Sequence, residues 1–293
     1  MRTRVTMLNT MASHDFEQAL DRFHGWGLEV VDLKNGIYGE SVERLTAAQA
    51  ESAALAMQRR GLQAYCLSTE LFHDDLEQGE AHFRKHHLDR VDQAIEVARI
   101  LKPSMIRLLS ARTASGVDAN GRAELLANSR PWLIRLYREA IDRMADAGFA
   151  VTIENEAHRN MWSHPQEIIS FFAELNRPDR VHFTYDVQNL WQMGTFPTME
   201  AYRQLRPLIG FIHVKGGKKG EVGPALKWKS TLEEASWPVA EIVRSAILDR
   251  CSPVICMNPS HGQEQEGQNG RDRVEQDLQY MNQLIASIEG GCI

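Results

Sequence analysis

Short apolar runs of five or six residues recur along the chain. Between them lie longer stretches where apolar and charged residues alternate with a helical period. Three junctions share one order: "HGWGLEVVDL", "RRGLQAYCL" and "DAGFAVTIE" each close a charged, helix-like stretch with glycine and pass directly into an apolar run. Gly27, Gly61 and Gly148 stand where a helix ends in the left-handed region, which glycine enters without a Cβ penalty. Helix, glycine, strand, repeated, is the pattern of βα units feeding a parallel sheet. Eight strand candidates lie near 4–9, 28–33, 62–67, 104–109, 149–154, 181–186, 209–214 and 253–258. The stretch "TAAQAESAALAMQRR" opens with Thr46 and Gln49, and "STLEEASWPVAEIVRSAIL" with Ser230 and Glu233, both at capping-box spacing. In "LDRVDQAIEVARIL", Leu88, Val91, Ile95 and Ile100 fall on one helical face. Eight such units in 293 residues, with no Ser/Gly/Pro-rich linker, predict one (β/α)8 barrel domain spanning 1–293. The runner-up, an open doubly wound sheet, lacks its nucleotide-binding mark, since no Gly-x-Gly-x-x-Gly follows the first strand.

Composition adds exclusions. A net charge of −6 and a pI near 6.0 argue against a protein that grips nucleic acid through a basic face. No run of apolar residues is long enough to cross a membrane, and the amino end, "MRTRVTMLNTMASHDFEQ", has no secretory pattern. Cys66, Cys251, Cys256 and Cys292 form no Cys-x-x-Cys pair, so reduced thiols in the cytoplasm are expected.

In a barrel, catalytic groups stand at the carboxyl ends of strands. The fifth apolar run ends in Glu154, and the sixth, "VHFTYDVQN", ends in Asp186. The seventh, "FIHVKGG", carries His213 and Lys215. Strand alternation turns Val151, Ile153, Phe183, Tyr185, Ile212 and Val214 toward the helices. It turns Thr152, Glu154, Thr184, Asp186, His213 and Lys215 toward the axis. Singly, these residues read as a solvated strand end, a helix cap and a satisfied core histidine. Matched parity on three consecutive strands favours a shared site, because buried charges clustered in this way need a compensating cation. Two carboxylates and an imidazole are the donor set of a divalent-metal site.

The motifs "IEN", "D-x-x-N" and "H-V-K" on strands five to seven resemble the xylose isomerase-like TIM barrels of the sugar phosphate isomerase and epimerase superfamily. The element order matches over nearly the whole chain. The resemblance implies that Glu154, Asp186 and His213 bind a divalent metal, Mn2+ foremost, with Zn2+, Co2+ or Mg2+ as alternatives. It also implies that Glu154 doubles as the base. The substrate-touching histidine often found three residues after the Asp is here Asn189, whose amide still hydrogen-bonds a hydroxyl.

The departure is on strand eight, where the family usually supplies a second Glu. Here the chain reads "PVICMNPSHG". Parity turns Cys256 and Asn258 inward, making Asn258 the candidate fourth metal ligand; His261, Glu264 and Glu266 follow in the loop. Lys215 is a candidate catalytic cation for an oxyanion or a phosphate. Trp162 and Trp191 are candidates to wall a sugar's apolar face, and Glu156, His158 and His261 to contact substrate. Asp32 and Glu70 end strands two and three, where they can meet hydroxyls. Lys218 and Lys219 read as a solvated loop, and Lys85–His86–His87 as a solvated helix face.

The expected function is a metal-dependent sugar isomerase or epimerase acting on a keto-sugar or related hydroxy-carbonyl compound through an enediolate. The alternatives are a metal-dependent lyase or dehydratase on such a compound, and a non-catalytic sugar-binding barrel. An abasic-site nuclease of the same superfamily is disfavoured by the acidic charge and the scarcity of strand-end histidines. The expected partner is a small sugar-like molecule, with no nucleic acid and no membrane; a homo-oligomer is compatible with this reading.

Overall fold

The computed structural model describes residues 2–113, 130–157, 159–264 and 270–291. His158, Glu266 and Cys292 lie outside the described residues. The strands are β1 (Arg4–Thr6), β2 (Val30–Leu33), β3 (Gln63–Ser68), β4 (Met105–Leu109), β5 (Ala150–Glu154), β6 (Val181–Asp186), β7 (Ile209–Val214), β8 (Lys218–Lys219), β9 (Leu226–Trp228) and β10 (Val254–Met257). Eight of them form one sheet in the order β1-β10-β7-β6-β5-β4-β3-β2, with every neighbouring pair parallel. The ends of this order meet. Asp32 N donates to Met7 O at 3.2 Å, and Thr6 Oγ1 donates to Val30 O at 2.8 Å. Helices separate the strands, giving a nearly closed TIM barrel in which the eight expected strands all occur.

Alternation sorts the side chains. Val151, Ile153, Phe183, Tyr185, Ile212 and Val214 belong to the large apolar layer under the helices. A separate cluster of Val30, Tyr65, Cys66, Met105, Phe211, Val254 and Cys256 packs apart from that layer. The Tyr65 and Phe211 rings meet edge to face at 5.2 Å, and Phe211 meets the His213 ring at 4.8 Å. Fully burying rings of this size stabilises by roughly 1.5–3 kcal/mol each. The polar site therefore has an apolar floor.

The glycines behave as their positions require: φ is +70° at Gly27, +68° at Gly61 and +92° at Gly148. The Thr46–Gln49 capping box opens the helix Ala47–Gln58. The Ser230–Glu233 pair opens none; the helix begins only at Val239, after Pro238. Ser230 is used otherwise, with its Oγ accepting from Gly217 N at 2.6 Å and donating to Thr231 O at 2.9 Å. The Lys85–His86–His87 run is solvated only in part. His87 is buried, its Nδ1 accepts from Phe72 N at 3.0 Å, and burial pushes its pKa down to about 4. Lys218 and Lys219 form one strand of the antiparallel β8–β9 ribbon, which no period in so short a segment announces.

Gly216 sits where the chain leaves β7 and the 230–231 segment crosses it. A Cβ there would overlap Ser230 O and Thr231 O, both backbone atoms that cannot swing aside. Gly216→Ala is expected to destabilise the protein by about 1–3 kcal/mol, the usual range for overpacking. Urea unfolding monitored by circular dichroism checks this, and an unchanged midpoint would contradict it.

Candidate active site

Each functional side chain is aimed by the strand that ends beneath it. Asn155 clamps β5 to β6 across their ends: its Oδ1 accepts from Asp186 N at 2.8 Å, and its Nδ2 donates to Asp186 O at 2.9 Å. Asp186 caps the helix Val187–Gln192, its Oδ1 accepting from Asn189 N at 2.9 Å. That bond commits one carboxylate oxygen and leaves Oδ2 for the centre. β6 and β7 run in a register that pairs Asp186 with His213. His213 Nδ1 lies 3.1 Å from Glu154 Oε1 and 4.0 Å from Asp186 Oδ2. Ligand atoms of Glu154, Asp186 and His213 all lie within 4.8 Å of one another, and all three residues are buried.

Two further cations join them. Arg107, from the middle of β4, donates through Nη1 to Glu154 Oε2 and through Nη2 to Thr69 O at 3.1 Å. Lys215 Nζ stands 2.6 Å from Asp186 Oδ2 and donates to Asn189 Oδ1 at 3.1 Å. Burial alone would raise the Glu154 carboxyl; Arg107 and His213 overrule it and hold that group well below the usual carboxylate range. Burial also pushes Asp186 up, against the pull of Lys215. For His213, burial pulls downward, but Cys256, Glu154 and Asp32 prevail and lift it well above an ordinary histidine. Lys215 is likewise held up as a cation, since Asp186, Glu156 and Glu154 outweigh its burial.

The donor set suits a divalent cation. Two carboxylate oxygens and one imidazole nitrogen converge from three consecutive strand ends, which is the mixed hard and borderline chemistry such ions take. Glu154, Asp186 and His213 are the residues that would hold it.

The other expected residues fall less uniformly. Asn258 is buried, and its amide oxygen accepts from Leu8 N at 3.0 Å. That bond ties β10 to the end of β1, so the oxygen expected to serve as a fourth ligand already works as a seam. Asn189 lies in the wall with both ends of its amide engaged, by Lys215, by Asn155 O at 3.0 Å and by Glu156 Oε1 at 3.1 Å. Trp162 is a core residue, packed edge to face on Phe171 at 5.0 Å and on Phe183 at 6.2 Å. Trp191 is partly exposed and donates to Ala225 O at 3.2 Å, propping the segment between β8 and β9. His261 reaches the helix Val187–Gln192 through Gln188 and Gln192. Glu264 is held by Lys229 and Arg273, which keep its pKa at about 2.

Arg107 was not among the expected site residues. Its signal is present in "MIRLL": an arginine at the parity of Met105, inside an otherwise apolar strand. Arg107→Met leaves the buried Glu154 without its strongest partner, and removing one member of a buried pair typically costs about 3–5 kcal/mol. The double variant Arg107→Met with Glu154→Gln is expected to regain most of that loss in urea unfolding. Purely additive losses would show that the pair is not coupled.

The model of one family, the xylose isomerase-like TIM barrel, matches residues 20–224. No curated protein sequence matches the chain. Among solved structures, a xylose isomerase-like TIM barrel protein from Mycobacterium smegmatis in complex with magnesium superposes with a TM-score of 0.71 at 15% identity, over 98% of this chain and 97% of that one. A D-psicose 3-epimerase determined in the presence of D-fructose gives 0.69 at 12% identity, over 97% and 99%. The probable 3-DHS dehydratase AsbF from Bacillus anthracis gives 0.69 at 15% identity, over 96% and 99%. With the family model covering residues 20–224 and the barrel matching from end to end, the chain belongs to the xylose isomerase-like TIM barrel family.

Proposed function

We propose that the protein is a divalent-metal-dependent enzyme that removes the proton next to the carbonyl of a small, sugar-like hydroxy-carbonyl compound. The convergence of Glu154, Asp186 and His213 at the ends of β5, β6 and β7 carries this reading. Its first form is a sugar isomerase or epimerase. The similar fold of a D-psicose 3-epimerase and of a magnesium-bound barrel supports it. When bound, the cation supplies Lewis acidity and stabilises the charge that develops on the carbonyl oxygen. Manganese is the favoured ion, with zinc, cobalt and magnesium next.

The chain's own groups divide the remaining work. Arg107 occupies Glu154 Oε2 and keeps the carboxylate ionised, so Oε1, on the His213 side, is the oxygen turned to the proposed metal site. That contact also makes Glu154 a weak base, so the substrate proton must be strongly acidified before Glu154 can take it. Lys215 remains a cation beside Asp186 and can donate to a developing oxyanion.

The second form is a lyase, in which loss of the α proton expels a β substituent. The end of β10 favours it: the inward residues there are Cys256 and Asn258, and Asn258 is engaged with Leu8. Among the described residues no carboxylate follows Cys256 and Asn258 closely on that strand end; Glu264, further along the loop, is tied to Lys229 and Arg273. The fold shared with a probable dehydratase agrees with this form.

Two measurements test the reading. The purified protein is expected to bind about one divalent ion per chain, and Asp186→Ala or His213→Ala is expected to weaken that binding at least about tenfold, measured on the fraction that thermal unfolding shows to be folded, since removing a member of the buried cluster also costs stability. Titration calorimetry with Mn2+, beside thermal unfolding, decides it; full affinity in both variants would remove the metal site. Glu154→Gln is expected to abolish turnover of keto-sugars. In heavy water the wild-type products are expected to be aldose–ketose isomers or elimination products, identified by mass and NMR. Rapid formation of pure epimers by the wild type would show that a second acid/base group serves the other face.

A further inference from the structure

We propose that Asp32 is a positioning residue that holds the Nε2 proton of His213 and so leaves Nδ1 as the nitrogen offered to a bound cation. The inference deepens the metal-site reading and rests on it. His213 lies between two acidic sides. Nδ1 is 3.1 Å from Glu154 Oε1, and Nε2 is 3.4 Å from Asp32 Oδ2. Nε2 is buried away from water and makes no hydrogen bond of good geometry, and Asp32 and the Cys256 thiol are its polar neighbours, so the 3.4 Å approach of Asp32 is the contact available to its proton. Asp32 is itself fully buried and pinned. Ser68 Oγ donates to its Oδ1, Cys256 Sγ donates to its Oδ2 at 3.7 Å, and its backbone N–H closes the barrel onto Met7 O at 3.2 Å. The edge-to-face contact of Phe211 with the imidazole, at 4.8 Å, restrains the ring from turning over.

An imidazole binds a cation only through a nitrogen with a free lone pair, and the neutral ring has one. Whichever nitrogen keeps its proton is therefore excluded from the metal. A fixed carboxylate beyond Nε2 retains the proton there, and such partners of a ligating histidine commonly govern affinity by 10–100-fold. The geometry contains a rival arrangement. Asp32, His213 and Cys256 also bring ligand atoms within 4.8 Å of one another, so a thiophilic ion could take Nε2 and the thiolate instead. The two arrangements use opposite nitrogens of one ring and leave different signatures.

The test uses the full chain, labelled with 15N in its histidines. In the metal-free wild type, the His213 Nε2–H resonance is expected to be protected from solvent exchange. In the Zn2+-loaded protein the proton is expected to stay on Nε2 while the Nδ1 shift moves. Asp32→Asn is expected to lower Mn2+ and Zn2+ affinity by about 10–100-fold, and Asp32→Glu to recover part of it. The Co2+-loaded wild type is expected to show no thiolate-to-cobalt charge-transfer band. A proton on Nδ1 in the Zn2+ form, a thiolate band with Co2+, or unchanged affinity in Asp32→Asn would each overturn the assignment. The wild-type spectra decide the matter even if Asp32→Asn fails to fold. Should the wild type bind no ion while Nε2–H stays protected, the metal reading fails and Asp32's hold on His213 stands.

Discussion

The constraint on which this structure turns is the burial of three carboxylates, Asp32, Glu154 and Asp186, at one end of a parallel barrel. Removing an ionised carboxylate from water costs several kcal/mol even after relaxation, and an unpartnered one would be neutralised or would unfold its surroundings. The chain answers with cations drawn from other strands: Arg107 from β4 on Glu154, Lys215 beyond β7 on Asp186, and His213 between Glu154 and Asp32. Each partner comes from a different βα unit from the carboxylate it meets, so the cluster assembles only when the barrel does. Clustered buried carboxylates do require positive charge, and in this fold side chains already supply much of it. The case for a bound cation therefore rests on the convergence of three ligand atoms, rather than on unpaired charge alone.

Much of the architecture was legible because it obeys a strict period. Strand parity is two and a barrel strand has two unlike sides, so Thr152 with Glu154, and Thr184 with Asp186, share one aim. The hydrogen bond from Thr184 Oγ1 to Thr152 Oγ1, at 2.8 Å, bears out that sorting below the carboxylates. Glycine at a helix end is equally readable, since a positive φ excludes most alternatives. The site's membership was harder. Arg107 sits in mid-strand, and nothing local distinguishes an inward arginine that reaches the rim from one satisfied lower down. Asn258 has the right parity, but its amide oxygen is claimed by Leu8 N, a donor some 250 positions away. Trp162 follows a strand end, as a rim residue would, yet the aromatic side chains of Phe171 and Phe183 draw it into the core. The Ser230–Glu233 pair shows the same limit on a smaller scale. The spacing of a cap was present, but the hydroxyl was needed by the glycine turn after β7.

The distribution of charge around the rim is uneven, and this constrains what the proposed reaction can do. Arg107, Glu154, Asp186, His213 and Lys215 stand on or just beyond four consecutive strands, β4 to β7. Past them, β10 contributes a thiol and an amide at Cys256 and Asn258, and β1 offers Thr6. The Cys256 thiol, pushed up to about 11 by burial, is a poor proton carrier at neutral pH. Asp32, on β2, is the exception, and it is tied to Ser68 and Cys256 beside His213; on the proposed reading, a substrate laid across the rim therefore meets Glu154 and Lys215 on one side. Glu154 takes the α proton from that side, and Lys215 or the same carboxylate returns one to it. Delivery to the neighbouring carbon on the same face gives aldose–ketose isomerisation. Expulsion of a β group gives elimination and needs no return at all. Inversion at the original carbon requires a donor above the opposite face, and among the described residues the end of β10 presents an amide and a thiol there. On that reading, the side-chain chemistry of one strand end narrows the reaction more than a metal would, because a divalent cation held by Glu154, Asp186 and His213 would acidify the proton for all three outcomes alike.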